Sequence, residues 1–154
     1  LRTHPETLKR SNKTIKNIKK NFLKFSNFEL NTDLTNLKPM SDSSLLITDN
    51  GGMALEYFIT QKKPVLYINY SEKIHNDFFQ KIELNTVEDE FKKNIGTSIE
   101  IDQLDELDTY MKKAKENFYQ NKEKINNLIL KNEIIMKDQS QNAKKVILGL
   151  LFKN

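Results

Sequence analysis

The run Asp49-Asn50-Gly51-Gly52-Met53, with Glu56 one helical turn beyond it, holds the residue types best placed in this chain to grip an anion. It follows the apolar stretch Leu45 to Thr48 and precedes apolar residues at helical spacing, so it reads as a turn from a strand into a helix. Glycines at such a turn let a ligand approach the backbone closely. The free N–H groups and the positive end of the helix dipole then suit a phosphate. The amides of Gly51, Gly52 and Met53 are the candidate phosphate contacts. Glu56 is four residues past Gly52, where a carboxylate can accept bonds from the paired hydroxyls of a ribose. Asp49 organises the loop. The plainer reading of the same residues is a helix capped by Asn50, a tight glycine turn and a solvated Glu56.

His4 is the second candidate. "RTHPE" reads as a strand end running into a helix, with Pro5 fixing the turn, so the imidazole can donate to a phosphate or act as a general acid toward a leaving group. A capping or surface histidine is the plain alternative. His75, in "EKIHNDFF", reads as structural.

Composition bounds what these residues belong to. A chain of 154 residues is one ordinary domain, and 37% hydrophobic with 30% charged residues is globular and rich in solvated helix faces. With no cysteine and two histidines there is no disulfide framework, and a zinc site would need distant carboxylates. The net charge of +4 comes from lysines scattered among acids and asparagines, a weak footprint for nucleic acid. No apolar run approaches the roughly 20 residues needed to span a bilayer, and no signal peptide opens the chain, so a cytoplasmic location is expected. Leu1 stands where a methionine would begin a protein, so the chain reads as a piece of something longer.

The elements that must position these residues follow from periodicity. Glu6 to Phe25 reads as one amphipathic helix, "NFELNTDL" as a short strand, and "TNLKPMSD" as a turn or short helix broken near Pro39. Leu45 to Thr48 is a strand, Gly51 to Thr60 a helix and "KKPVLYIN" another strand. The segment "HNDFFQKIELNTVEDEFKKNIG" reads as one or two short helices and "SIEI" as a last strand. Three helices follow, Leu104 to Tyr119, Asn121 to Lys131 and Asn142 to Phe152. Short connections between apolar strands predict right-handed crossovers and a doubly wound, Rossmann-like parallel α/β sheet over 1–101, with a helical cap over 102–154.

"RTHP", followed by "DSSLLITDNGGMALEYFITQKKPVLYIN", resembles the carboxyl-terminal half of the CDP-glycerol glycerophosphotransferase family, the teichoic-acid and capsule polymerases. The resemblance rests on His4-Pro5, Asp49, Gly51-Gly52, Glu56 and Lys63-Pro64, and covers roughly the first seventy residues. It implies the nucleotide-binding half of a GT-B transferase. A CDP-, CMP- or UDP-linked donor would be held by the amides of Gly51, Gly52 and Met53 with Asn50 at the phosphates and Glu56 at the ribose, and His4 would neutralise the leaving phosphate. No metal or further cofactor is required, since amide dipoles and His4 supply the charge stabilisation. The polymer or lipid-linked acceptor would bind a preceding domain, the fragment would be inactive alone, and the parent would sit peripherally on the inner face of the cell membrane. Many members of that family carry serines where this chain has Gly51 and Gly52, which leaves backbone amides alone at the phosphate.

The middle segment is also similar to the nucleotide site of UDP-N-acetylglucosamine 2-epimerases. Two readings of other classes stand beside it. "LLITD" before "KKPVLYIN" resembles a receiver-like regulatory domain phosphorylated on Asp49, although the early acidic pair that would bind magnesium is missing. The lysine-rich tail alone would suit a helical interaction module.

Overall fold

A computed structural model describes residues 1–33, 35–49, 51–70, 87–94 and 96–151, with side chains described outside 132–140, 142, 146, 147 and 149–151. The chain forms two compact units, Leu1–Asp42 and Ser43–Asn154, and each is taken by itself.

In the first unit the expected single helix is two, α1 (Pro5–Arg10) and α2 (Asn12–Phe22). They part at Ser11, whose φ of −125° and ψ of 56° are not helical and whose N–H closes α1 on the Thr7 carbonyl. Serine competes for backbone bonds in non-helical conformations, so a helix boundary falls there readily. The expected strand "NFELNTDL" reduces to one parallel bridge between Arg2 and Asn31. Beyond it, Asn31 Oδ1 takes the Asp33 N–H and Asp33 Oδ1 the Thr35 N–H, so the side chains turn the backbone out of strand pairing. Pro39 does not break a helix. It lies in the first turn of α3 (Lys38–Asp42), where its missing N–H costs nothing.

The second unit is α/β. Strands β1 (Leu46–Thr48), β2 (Val65–Asn69) and β3 (Thr97–Glu100) form a parallel sheet in the order β1-β2-β3, with Thr48 opposite Tyr67 and Asn69 opposite Glu100. Helix α4 (Gly52–Gln61) joins β1 to β2, and α5 (Val87–Asn94) precedes β3. The sheet is covered on both sides. Leu66, Ile68 and Ile99 pack against Leu107, Met111 and Ala114 of α6 (Leu107–Gln120). On the alternate face of β2, Tyr67 lies under the Lys92 ammonium of α5, and Phe58 of α4 meets Phe91 of α5 at 5.9 Å.

Helix α4 buries Ala54, Tyr57 and Phe58 and turns Gly52, Glu56 and Thr60 outward, the spacing of an amphipathic helix. It ends at Lys62, whose left-handed φ of 52° lets its N–H close on the Phe58 carbonyl. Glycine is demanded at Gly96, between α5 and β3. A Cβ there would stand 2.6 Å from the Tyr67 ring and 2.8 Å from the Lys92 carbonyl.

After β3 a 3₁₀ helix (Ile101–Glu106) leads into α6, then α7 (Lys122–Leu151) runs unbroken where two helices were expected. No proline or glycine interrupts the sequence between Thr97 and Leu148, so nothing stops helix propagation through the polar stretch. Of the one or two short helices expected over 75–96, α5 is one, and the stretch 75–86 lies outside the described residues.

Candidate functional site

The β1–α4 turn sits at the carboxyl edge of the parallel strands, where loops of open α/β sheets gather ligands. Gly51 caps α4 in an extended conformation, φ −134° and ψ 154°, and its carbonyl accepts the Ala54 N–H at 3.0 Å. Among the described residues the N–H groups of Gly52 and Met53 have no acceptor, and no side chain caps the helix. Neither glycine has a positive φ. Nor does packing require Gly52: apart from its chain neighbours and the helix's own backbone, no described atom stands within 4 Å of where its Cβ would be.

Glu56 is exposed on the face that carries Gly52, and among the described residues its carboxylate has no ion pair or hydrogen bond. Asp49 is exposed too, and its Oδ1 lies 3.4 Å from the position of a Gly51 Cβ. An anion on the amides would therefore share its surroundings with the Asp49 carboxylate, which weakens the hold without blocking it.

Gly51, Gly52, Met53 and Glu56 are thus brought together on one turn and one helix. Asn50 and His75 lie outside the described residues. His4 belongs to the first unit, exposed, as the N-cap of α1, with its Nδ1 accepting the Glu6 N–H at 3.2 Å. That bond assigns the hydrogen to Nε2, which remains available as a donor. Near it, Thr3 Oγ1 and Asn31 Nδ2 are buried with no hydrogen-bond partner among the described residues, a polar environment that favours water or a polar ligand group.

A network missed from the sequence continues along the same edge. Asn69, ending β2, donates through Nδ2 to Glu100 Oε1 at the end of β3, and its Oδ1 accepts from Lys92 Nζ at 2.7 Å. Gln103 Oε1 takes the Glu100 N–H at 3.3 Å and the Tyr110 hydroxyl at 3.4 Å. The network braces two strand ends, α5 and α6 against one another and sets Lys92 as a cation at the edge. The available signal was the polar residue closing each apolar strand, Asn69 after "VLYI" and Glu100 after "TSI", as Asp49 closes "LLIT".

Two other polar features lie toward the opposite, amino edge. The Ser43 carbonyl, before β1, accepts from Lys63 Nζ at 2.8 Å and from the Tyr57 hydroxyl at 3.3 Å. Burial pushes the Tyr57 phenol up, partly offset by its bond with Ser43. A cavity of about 510 Å³ lies between α5 and the start of α7, lined by Glu90, Asn94, Glu123, Lys124 and Lys131 among others. Its acids and lysines offset one another, with Lys131 Nζ 3.8 Å from Glu90, and it holds none of the residues expected to bind a ligand.

No family model, no curated protein and no solved structure matches the chain. No helix among the described residues is long and apolar enough to cross a membrane.

Proposed function

We propose that the chain is the nucleotide-donor-binding domain of a GT-B-like transferase, one that moves a glycerol phosphate or sugar from a CDP-, CMP- or UDP-linked donor onto a cell-surface polymer. The observation that carries this reading is the start of α4. Among the described residues the Gly52 and Met53 amides have no acceptor and a Gly52 Cβ would meet nothing within 4 Å, at the carboxyl edge of a parallel sheet, with the Glu56 carboxylate, unengaged by any described residue, one turn along the same face.

In this reading the Gly52 and Met53 amides hold the donor phosphates and Glu56 accepts from the ribose hydroxyls. The acceptor hydroxyl attacks the transferred group, the bond to the nucleotide phosphate breaks, and negative charge grows on the departing nucleotide. The fixed amide dipoles meet that charge without reorganising. An epimerase acting on a UDP-linked sugar would use the same cradle.

Calorimetric titration tests the reading. CDP or UDP should bind and the matching nucleoside should bind far more weakly, whereas equal weak heats for both would remove the phosphate cradle. The exposure of Asp49 at the end of β1 favours one other reading, phosphorylation of its carboxylate. Stable labelling of Asp49 by a small phosphodonor with magnesium would support that reading instead.

A further inference from the structure

We infer that the exposed side of α2 and the turn after it dock on an anionic lipid bilayer. Between Glu6 and Glu29 the sequence holds no acid, and Lys13, Lys16, Lys19, Lys20 and Lys24 make no ion pair among the described residues. Lys9 and Arg10, just before, are tied to Glu6.

Spacing arranges the charge. Lys13, Lys16 and Lys20 fall at i, i+3 and i+7, on one exposed face of α2, while Ile15 is buried on another. Leu23, three residues beyond Lys20, continues the lysine row. It is 53% exposed, beside Phe22 at 46% and Phe25 at 49%. A row of cations ending in unburied apolar side chains complements a surface with anionic headgroups above an acyl layer.

A nucleic acid is the other polyanion such lysines could meet, and the aromatic geometry disfavours it. Bases bind by stacking on open ring faces. Here Phe22 packs on Phe28, with centroids 5.4 Å apart, and the Lys24 ammonium covers the Phe25 ring at 5.2 Å. Leu23 has no ring face at all. These side chains suit insertion among acyl chains better than stacking. Charge and exposure carry the inference, so it stands or falls separately from the nucleotide reading.

Vesicle flotation of the full chain tests it, with phosphatidylcholine vesicles against phosphatidylcholine mixed with phosphatidylglycerol. The chain should float with the mixed vesicles at low salt, remain behind with neutral ones, and be released as salt rises. Each lysine near an anionic surface changes partition by about fivefold, so Lys13→Gln, Lys16→Gln and Lys20→Gln together should lower it by about a hundredfold. Leu23→Ser with Phe25→Ser should lower it by about tenfold and leave the salt dependence unchanged. The salt titration of the unaltered chain needs no variant to fold. Equal flotation with neutral and anionic vesicles, no flotation at low salt, or tighter binding of a single-stranded oligonucleotide than of the vesicles would overturn the inference.

Discussion

Gly52→Ala separates a ligand site from a structural turn. The added methyl meets no described atom within 4 Å beyond the residue's own surroundings, and Gly52 has no positive φ that a side chain would strain. Alanine also narrows the unfolded ensemble and favours helix, so the substitution should leave the free protein as stable as before or more stable by about 0.5 kcal/mol. A bound phosphate would experience something different. The new Cβ leans toward the N-terminus and pushes the phosphate oxygens off the amides of Gly52 and Met53. Charge-assisted bonds of this kind contribute about 1.5 to 3 kcal/mol each, and losing the better part of one should weaken CDP or UDP binding by about 2 kcal/mol, roughly thirtyfold in Kd. Chemical denaturation reads the first effect and calorimetry the second. A destabilisation beyond about 1 kcal/mol would refute the packing argument. Unchanged affinity in a stable variant would refute the cradle.

Three further outcomes follow from the same geometry. Glu56→Gln should cost about 1 to 2 kcal/mol of nucleotide affinity by calorimetry, with little change in stability, because the side chain is exposed and unengaged. Gly96→Ala should destabilise the fold by about 1 to 3 kcal/mol in urea, since its Cβ would overlap the Tyr67 ring and the Lys92 carbonyl. Tyr67 should give the protein a base-sensitive limb: burial, and then the Glu88 charge, raise its phenol above the ordinary value of 10.0. The folded state therefore holds that proton more tightly, so the contribution is fully present below about pH 10 and is lost as pH rises beyond it. Tyr67→Phe should flatten stability measured against pH in that range.

The stretch from Leu45 to Asn69 was legible because its punctuation is strong. Asp49 with two glycines closes one apolar run, Pro64 opens the next, and the residues between them bury at helical spacing. Strand, helix and strand follow within three residues of the expected limits, and the strands pair in parallel. The break at Ser11 was not legible, since apolar residues continue at helical spacing across it and only the backbone of one serine departs. The strand around Asn31 failed for a local reason: Asn31 and Asp33 supply their own acceptors to the backbone. The brace of Asn69, Lys92 and Glu100 lies beyond any local pattern. Its members come from β2, α5 and β3 and meet only when the sheet forms. His4 was expected at a strand end, but only the isolated Arg2–Asn31 bridge precedes it, and its Nδ1 is occupied as the cap of α1, the plainer of its two readings.

Amide chemical shifts during titration with CDP and, separately, with cytidine test the central claim most directly. If the start of α4 cradles phosphate, CDP should move the Gly51 to Ala54 amides most, with Gly52 and Met53 leading, and cytidine should leave those four nearly still. Shifts of equal size from both ligands, or shifts centred on the cavity between α5 and α7 with the Gly51 to Ala54 amides unmoved, would contradict it.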